Sequence, residues 1–172
     1  MSMRHILSPQ VPRNLLTNVQ AGDSQPNAVD LRVDKIFRLK DEVFVITDKE
    51  KTHRGSEEVQ PDSNNMFCLE PGVYEIIMEN IVKVPESYAG WVITRSTLNR
   101  NGCHITSGLY DSGYNGVMAG LLHVAHGPAA IEKGTRVGQF LMFDAETLSL
   151  YDGDYGLAKD HDAKYTGEKN GN

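Results

Sequence analysis

Cysteine is nearly absent from this chain of 172 residues: Cys68 and Cys103 are the only two, and no CxxC spacing occurs. That excludes a disulfide-dense scaffold and a thiolate zinc site, and reduced thiols are the expectation. Long apolar runs are also missing. None approaches the roughly 20 residues needed to cross a bilayer, so no membrane partner is expected. The opening residues Met1 to Ile6 carry one arginine but no apolar stretch leading to a small-residue cleavage site, which predicts a cytoplasmic protein. Positive charge is in deficit, with 17 Lys and Arg against 23 Asp and Glu and a net charge of −6. A protein that follows a polynucleotide backbone needs a net basic face, so that class is set aside. A single nucleotide is not, because a few local cations and N–H groups can hold a triphosphate within an acidic protein. The six histidines show no ligand spacing; His123 and His126 lie three apart on an expected strand and face opposite sides.

Helical periodicity is scarce, and short β-rich runs take its place. Val29, Leu31 and Val33 alternate with Asp30, Arg32 and Asp34; residues 42–47, 66–69, 73–78, 90–94, 116–124 and 136–143 are further strand candidates. Their spacing between Gly and Pro turns predicts one all-β domain over residues 1–151, a distorted barrel or jelly-roll-like sandwich. A single helical turn fits Ser96 to Asn101, with Ser96 as cap and Gly102 as stop. The polar stretch 49–65 reads as an exposed loop, a loose hairpin or an insertion. Trp91 is expected in the core. Residues 152–172 show no apolar face and are predicted to form a flexible C-terminal arm.

Three segments carry candidate chemistry. In Thr94-Arg95-Ser96-Thr97-Leu98, a guanidinium, two hydroxyls and the N–H groups of a helix start suit phosphate oxygens; an ordinary helix start with a solvated arginine fits the same residues. In Thr106-Ser107-Gly108-Leu109-Tyr110-Asp111-Ser112-Gly113-Tyr114-Asn115-Gly116, Asp111 is placed to act as a general base on water and Tyr114 to lie against a sugar, with glycines allowing close backbone approach to a base. A plain hairpin with an Asp-Ser-Gly turn is the competing reading. In Lys133 to Phe140 an apolar strand carries one amide, Gln139, which must find a partner in backbone or ligand. Asp30 is equally readable as the polar side of an alternating strand.

Taken in order, Ala28 to Arg32, Pro85 to Leu98 with Gly102, Thr106 to Gly116, and Gly134 to Gln139 resemble the motifs of the dUTPase and dCTP deaminase superfamily over roughly residues 26–168. The resemblance implies a homotrimer of β-rich subunits with shared active sites, a magnesium ion (Mg2+) and a deoxyuridine triphosphate substrate. It further implies that Arg95, Ser96 and Thr97 bind phosphates and that Thr106, Ser107, Gly108 and Tyr114 contact the nucleoside. Asp111 would hold the attacking water, Gln139 would contact nucleotide from a neighbouring subunit, and Asp30 would organise the magnesium end through water. Deaminases of this superfamily carry a glutamate ten positions beyond the aspartate. Here that position is Leu121, and residues 117–126 hold no carboxylate, so hydrolysis without deamination is the expected branch. The ending, Tyr155 and then Ala163 to Lys169, resembles the deaminase type, with Glu168 where glutamine is usual. Lys164 and Tyr165 are thereby expected to fold over the phosphates. A dCTP or modified-pyrimidine enzyme, and a non-catalytic nucleotide-binding paralogue, are the alternatives.

Overall fold

Alternating β-branched and aromatic residues build twelve strands, seen in a computed structural model that describes residues 2–167. In chain order they are β1 (Met3–Arg4), β2 (Val29–Leu39), β3 (Val45–Ile46), β4 (Lys51–Thr52), β5 (Ser56–Glu58), β6 (Met66–Leu69), β7 (Gly72–Lys83), β8 (Tyr88–Thr94), β9 (Cys103–Thr106), β10 (Asn115–Val124), β11 (Ala129–Glu132) and β12 (Arg136–Asp144), with short helices α1 (Ser96–Arg100) and α2 (Ala163–Thr166). The main sheet runs β1-β12-β2-β7-β10-β9, with β5 added beside β2 and β8 beside β12. These neighbours all pair antiparallel, and breaks in register between Val33 and Lys35, Val117 and Ala119, and Arg136 and Gly138 let the sheet curl. Two small ribbons, β6-β11 and β3-β4, complete the all-β architecture.

The interior is lined by Leu31, Ile36, Phe67, Leu69, Tyr74, Ile76, Met118, Leu122 and Phe140, all fully buried. Each comes from the inward half of an alternating strand, so the period read along the chain becomes one side of the curled sheet. A smaller cluster lies apart from it: Phe37, Ile77 and Val117, joined by Tyr165 from the C-terminal segment. One cross-strand row matters below, because Phe37 of β2 pairs with Glu75 of β7, Glu75 with Leu121 of β10, and Leu121 with Thr106 of β9.

Several expectations are corrected. The run 42–47 keeps only two strand residues, and the stretch 49–65 is not a plain loop: it carries β4, and β5 pairs with Phe37 to Leu39 of β2. Trp91 is 37% exposed, edge-on to Phe143, because it occupies an outward position of β8. Ser96 is the first helical residue and not the cap; Arg95 holds the cap position in extended conformation with no side-chain cap bond. Gly102 ends the turn at φ +73°, as expected of a helix stop. The described part of the C-terminal segment does have an apolar contact, since Tyr165 is 5% exposed among Phe37, Ile77 and Val117. Glu168, singled out in the sequence, lies outside the described residues.

Candidate functional site

The sequence-predicted residues gather in two places on one chain. At the first, β2 delivers Asp30, the end of β8 delivers Arg95, and β12 delivers Arg136 and Gln139, with Gln139 directly opposite Asp30 in the β2-β12 register. Asp30 is fully buried. Its Oδ2 lies 3.3 Å from Arg95 Nε and 3.3 Å from Arg136 Nη1 and accepts from Gln25 Nε2 at 3.2 Å, while Oδ1 accepts from Gln139 Nε2 at 3.0 Å. The lone amide on an apolar strand thus has its partner in Asp30, and the carboxylate is ringed by N–H donors. Arg95 also donates to the Arg136 carbonyl at 3.2 Å, which fixes the guanidinium at the strand end. Ser96 and Thr97 follow on the exposed first turn of α1.

Beside this cluster Arg32 forks onto Asp23, with Nε to Oδ2 at 3.1 Å and Nη2 to Oδ1 at 2.6 Å, and it donates to the Gly134 carbonyl at 2.8 Å. Burial pushes the Asp23 carboxyl up, but the Arg32 and Gln20 hydrogen bonds and the charges of Arg32 and Arg136 outweigh it and leave the group below its usual range. The pair pins β2 to the loop before it.

The second place is a cavity of about 510 Å³. Gly108, Leu109 and Tyr110 of the hairpin line it together with Tyr114, Ala119 and Gly120, while Tyr151, Tyr155, His161, Asp162 and Tyr165 come from the C-terminal segment and His53 and Glu75 from elsewhere. Tyr114 is 7% exposed; its hydroxyl donates to the Val117 carbonyl at 2.8 Å and its ring meets Tyr110 and Tyr151 edge-on. Burial, then the neighbouring Tyr110, drives its phenol far above the usual value, so it works as a neutral wall. Asp111 is exposed on the hairpin, with its backbone carbonyl taken by the Tyr114 N–H at 3.0 Å. Ser107 Oγ accepts from the Val92 N–H at 2.9 Å and donates to the Gly108 carbonyl at 2.8 Å, which ties the hairpin to β8. Thr106 is the last residue of β9 and lies opposite Leu121.

The glycines play different parts. Gly113 needs its φ of +89°; a Cβ on Gly116 would stand 2.7 Å from Gly156 Cα; Gly108 borders open space on the cavity side.

Of the predicted site residues the cavity wall includes Gly108, Tyr114 and Tyr165, and none of Asp30, Arg95, Ser96, Thr97, Thr106, Ser107, Asp111, Gln139 or Lys164, so the cationic cluster and the cavity are separate on one chain. Lys164, expected beside the phosphates of a bound nucleotide, and Tyr165, expected to exclude water there, both meet Glu75: Lys164 Nζ is 2.9 Å from Glu75 Oε2, and the Tyr165 hydroxyl donates to Glu75 Oε1. Lys35 Nζ holds the Tyr165 carbonyl at 2.7 Å, which adds a second tie to β2.

Sequence reasoning missed His53, Glu75, His161 and Asp162. His53 and His161 have ring centroids 4.6 Å apart, and Lys51 pairs with Asp154 at 2.6 Å, so the 49–65 stretch meets the C-terminal segment. Glu75 did leave a signal, as the one acid in the otherwise apolar run Val73 to Met78.

No group of three or more His, Cys, Asp or Glu among the described residues converges on a point that could hold a metal ion. Asp30, the acid nearest the cationic cluster, already has both oxygens taken by N–H donors. The described residues therefore offer no side-chain cage for a magnesium ion.

Comparison with known proteins places the site in context. A family described as dCTP deaminase-like matches residues 9–145. A protein of Methanopyrus kandleri named probable deoxyuridine 5'-triphosphate nucleotidohydrolase is 34% identical over 155 residues, covering 88% of this chain and 99% of its own. A Nocardioides protein named dCTP deaminase, dUMP-forming, is 30% identical over 157 residues, covering 86% of this chain and 79% of its own. Among solved structures, the 2'-deoxycytidine 5'-triphosphate deaminase from Agrobacterium tumefaciens aligns with a TM-score of 0.60 at 16% identity, over 78% of this chain and 45% of that one.

Proposed function

This chain belongs to the dCTP deaminase-like family, and from that premise we propose that it is a dUTP diphosphatase, releasing dUMP and diphosphate. The observation that carries the reading is the hairpin: an exposed Asp111 three residues before a cavity-wall tyrosine, Tyr114, followed by a strand, β10, without a single carboxylate. Such a site has a base for water and no acid on β10 to shuttle protons at a cytosine amino group.

In this reading Asp111 accepts a proton from water as the water oxygen bonds the α-phosphorus. The bond from that phosphorus to the bridging oxygen breaks, and diphosphate leaves. Arg95, held by Asp30, neutralises phosphate charge, and Ser96 and Thr97 add hydroxyl donors. Tyr114 packs against the deoxyribose, Thr106, Ser107 and Gly108 shape the nucleoside end, and Gln139 acts beside Arg95. Magnesium arriving with the triphosphate would supply charge neutralisation, and Asp30, buried with both oxygens on N–H donors, would serve that end of the site by holding Arg95. The two halves of the site lie apart on one chain, which accords with a cytoplasmic homotrimer in which the cationic cluster of one subunit meets the cavity of the next. The described part of the C-terminal arm, residues 152–167, then covers the nucleoside.

Chromatography of the products from dUTP, dCTP, dTTP and dATP with magnesium tests the reading. Asp111→Asn is expected to slow turnover by roughly 10²- to 10⁴-fold while a non-hydrolysable analogue still binds. Unaltered turnover in that variant would remove Asp111 from the mechanism.

A further inference from the structure

Two histidines stand on the cavity wall, His53 and His161, and the hydrolytic mechanism uses neither. His53 follows β4 directly, while His161 sits in a single 3₁₀ turn, Asp160–Asp162, just before α2. Their ring centroids are 4.6 Å apart with the planes tilted by 55°. The Tyr155 ring meets His161 edge-on at 4.8 Å and His53 at 6.4 Å, and Phe44 flanks His53 at 6.3 Å. One stack of rings thus joins the 49–65 stretch to the C-terminal segment. Beside it Lys51 Nζ pairs with Asp154 Oδ2 at 2.6 Å.

The two imidazoles have different company. His161 Nδ1 lies 3.0 Å from Asp162 Oδ1, and the buried Asp162 is fixed in turn, its Oδ2 accepting from the Gly156 N–H at 2.6 Å. A proton on His161 therefore has a carboxylate beside it. His53 faces more positive charge than negative: His161 across the stack, Lys51 on β4 and Lys164 on α2, against Glu75 on β7 and the Lys51-bound Asp154. Its outer edge stays exposed. Loss of water on the packed side, then the charges of His161, Lys51 and Lys164, hold the His53 imidazole below its ordinary value, with Glu75 opposing them. The neighbouring groups do not share this window. The Lys51 hydrogen bond keeps the Asp154 carboxyl below its usual range, and burial, then Glu75, drives the Tyr165 phenol far above its own.

We infer that His53 is a positioning residue that, while neutral, holds the C-terminal segment closed through His161, and that releases the segment when protonated. Two positive rings at this separation repel, and opening the segment relieves them. The sign follows from linkage. His53 binds its proton less readily closed than open, so closure is fully favoured above the open-state value of about 6.5 and weakens as pH falls through it. The inference rests on the proposed function for what the segment covers, but not for the movement itself.

The movement is read by hydrogen exchange on nucleotide-free protein, in peptides spanning residues 152–167, at about pH 7.5 and about pH 5.5 with intrinsic rates corrected. Protection of this segment is expected to fall roughly threefold or more at the lower pH, while peptides from β7 and β10 hold. His53→Phe keeps a ring in the stack without a titrating group, and His53→Gln removes both; each is checked for a wild-type oligomer, and the pH-dependent fall is expected to vanish in each. With dUTP, acid should raise KM roughly threefold more in wild type than in either variant, with the same pH profile of kcat in all three, because bound nucleotide keeps the segment closed. Protection that ignores pH in wild type would sink the inference. So would a fall that survives in either variant, since the titrating group would then lie elsewhere. Exchange needs no substrate, so a chain that left dUTP intact would refute the proposed function and leave this movement standing.

Discussion

Asp30→Asn separates a structural anchor from a spectator. The substitution keeps shape and removes one charge from a position with no solvent exposure. In the native site Oδ2 faces three donors, Arg95 Nε, Arg136 Nη1 and Gln25 Nε2, and Oδ1 faces Gln139 Nε2. An amide turned with its oxygen to the arginines keeps Gln139 only if that side chain flips to accept, and turned the other way its NH2 meets the arginines donor against donor; in both cases the arginines lose the carboxylate charge. Breaking a buried ion pair by removing one partner costs about 3–5 kcal/mol. The arginine side chains are 27% and 36% exposed, so water compensates part of that loss, and about 2–3 kcal/mol is the expected destabilisation. For a chain of this size each kcal/mol moves the midpoint by roughly 2–4 °C, which predicts a fall in Tm of about 4–12 °C by calorimetry. Turnover of dUTP should fall as well, because Arg95 loses the group that aims it, and Arg95→Ala should show the activity loss with a smaller change in Tm. A Tm within about 2 °C of wild type would refute the anchoring argument, since that is the range of a surface change.

Gly120→Ala should destabilise by about 1–3 kcal/mol in chemical denaturation, because the new Cβ stands 2.6 Å from the Thr106 carbonyl oxygen and must push β9 off β10; a neutral result would mean that this strand pair is loosely held. The Asp23 carboxyl lies below its usual range when folded, so its contribution is present above about pH 4 and is lost as pH falls through the folded value. Stability curves of wild type and Asp23→Asn should therefore converge under acid and part at neutral pH, and parallel curves would contradict the assigned cause. Tyr114→Ala should weaken deoxynucleotide binding and let UTP compete, and equal sugar discrimination in both proteins would show that the ring does not floor the sugar.

The all-β architecture was readable because alternation is a local property: Val29, Leu31 and Val33 point inward in β2 for the same reason that they alternate along the chain. The role of Asp30 was half readable. Alternation made it an outward polar residue, yet the paired strand β12 sets Gln139 and Arg136 beside it, and Arg95 and Gln25 close over it, so Asp30 is buried. A chain-order reading has no means of seeing that cover. The same applies to the 49–65 stretch, whose polar composition concealed β5 beside β2 and His53 beside the cavity.

The C-terminal segment shows why composition misled most. Tyr155, Leu157 and Tyr165, scattered through a polar run, make no amphipathic pattern, and period-based reading needs several apolar positions in phase before it assigns a buried face. Here the apolar surface belongs to the other side of the contact. Phe37, Ile77 and Val117 come from three different strands and form a patch only after β2, β7 and β10 have paired. A single ring is enough to fill it, and the segment is then held by its own polar groups: Gly156 N–H to Asp162, Leu157 N–H to the Asn115 carbonyl, and Lys164 to Glu75. Lys35 Nζ on the Tyr165 carbonyl and Lys51 on Asp154 add to those ties, and together they hold the segment beside the cavity. Opening it would detach Tyr165 from Glu75 while leaving the main core cluster in place, so under the proposed reading nucleoside entry depends on that movement.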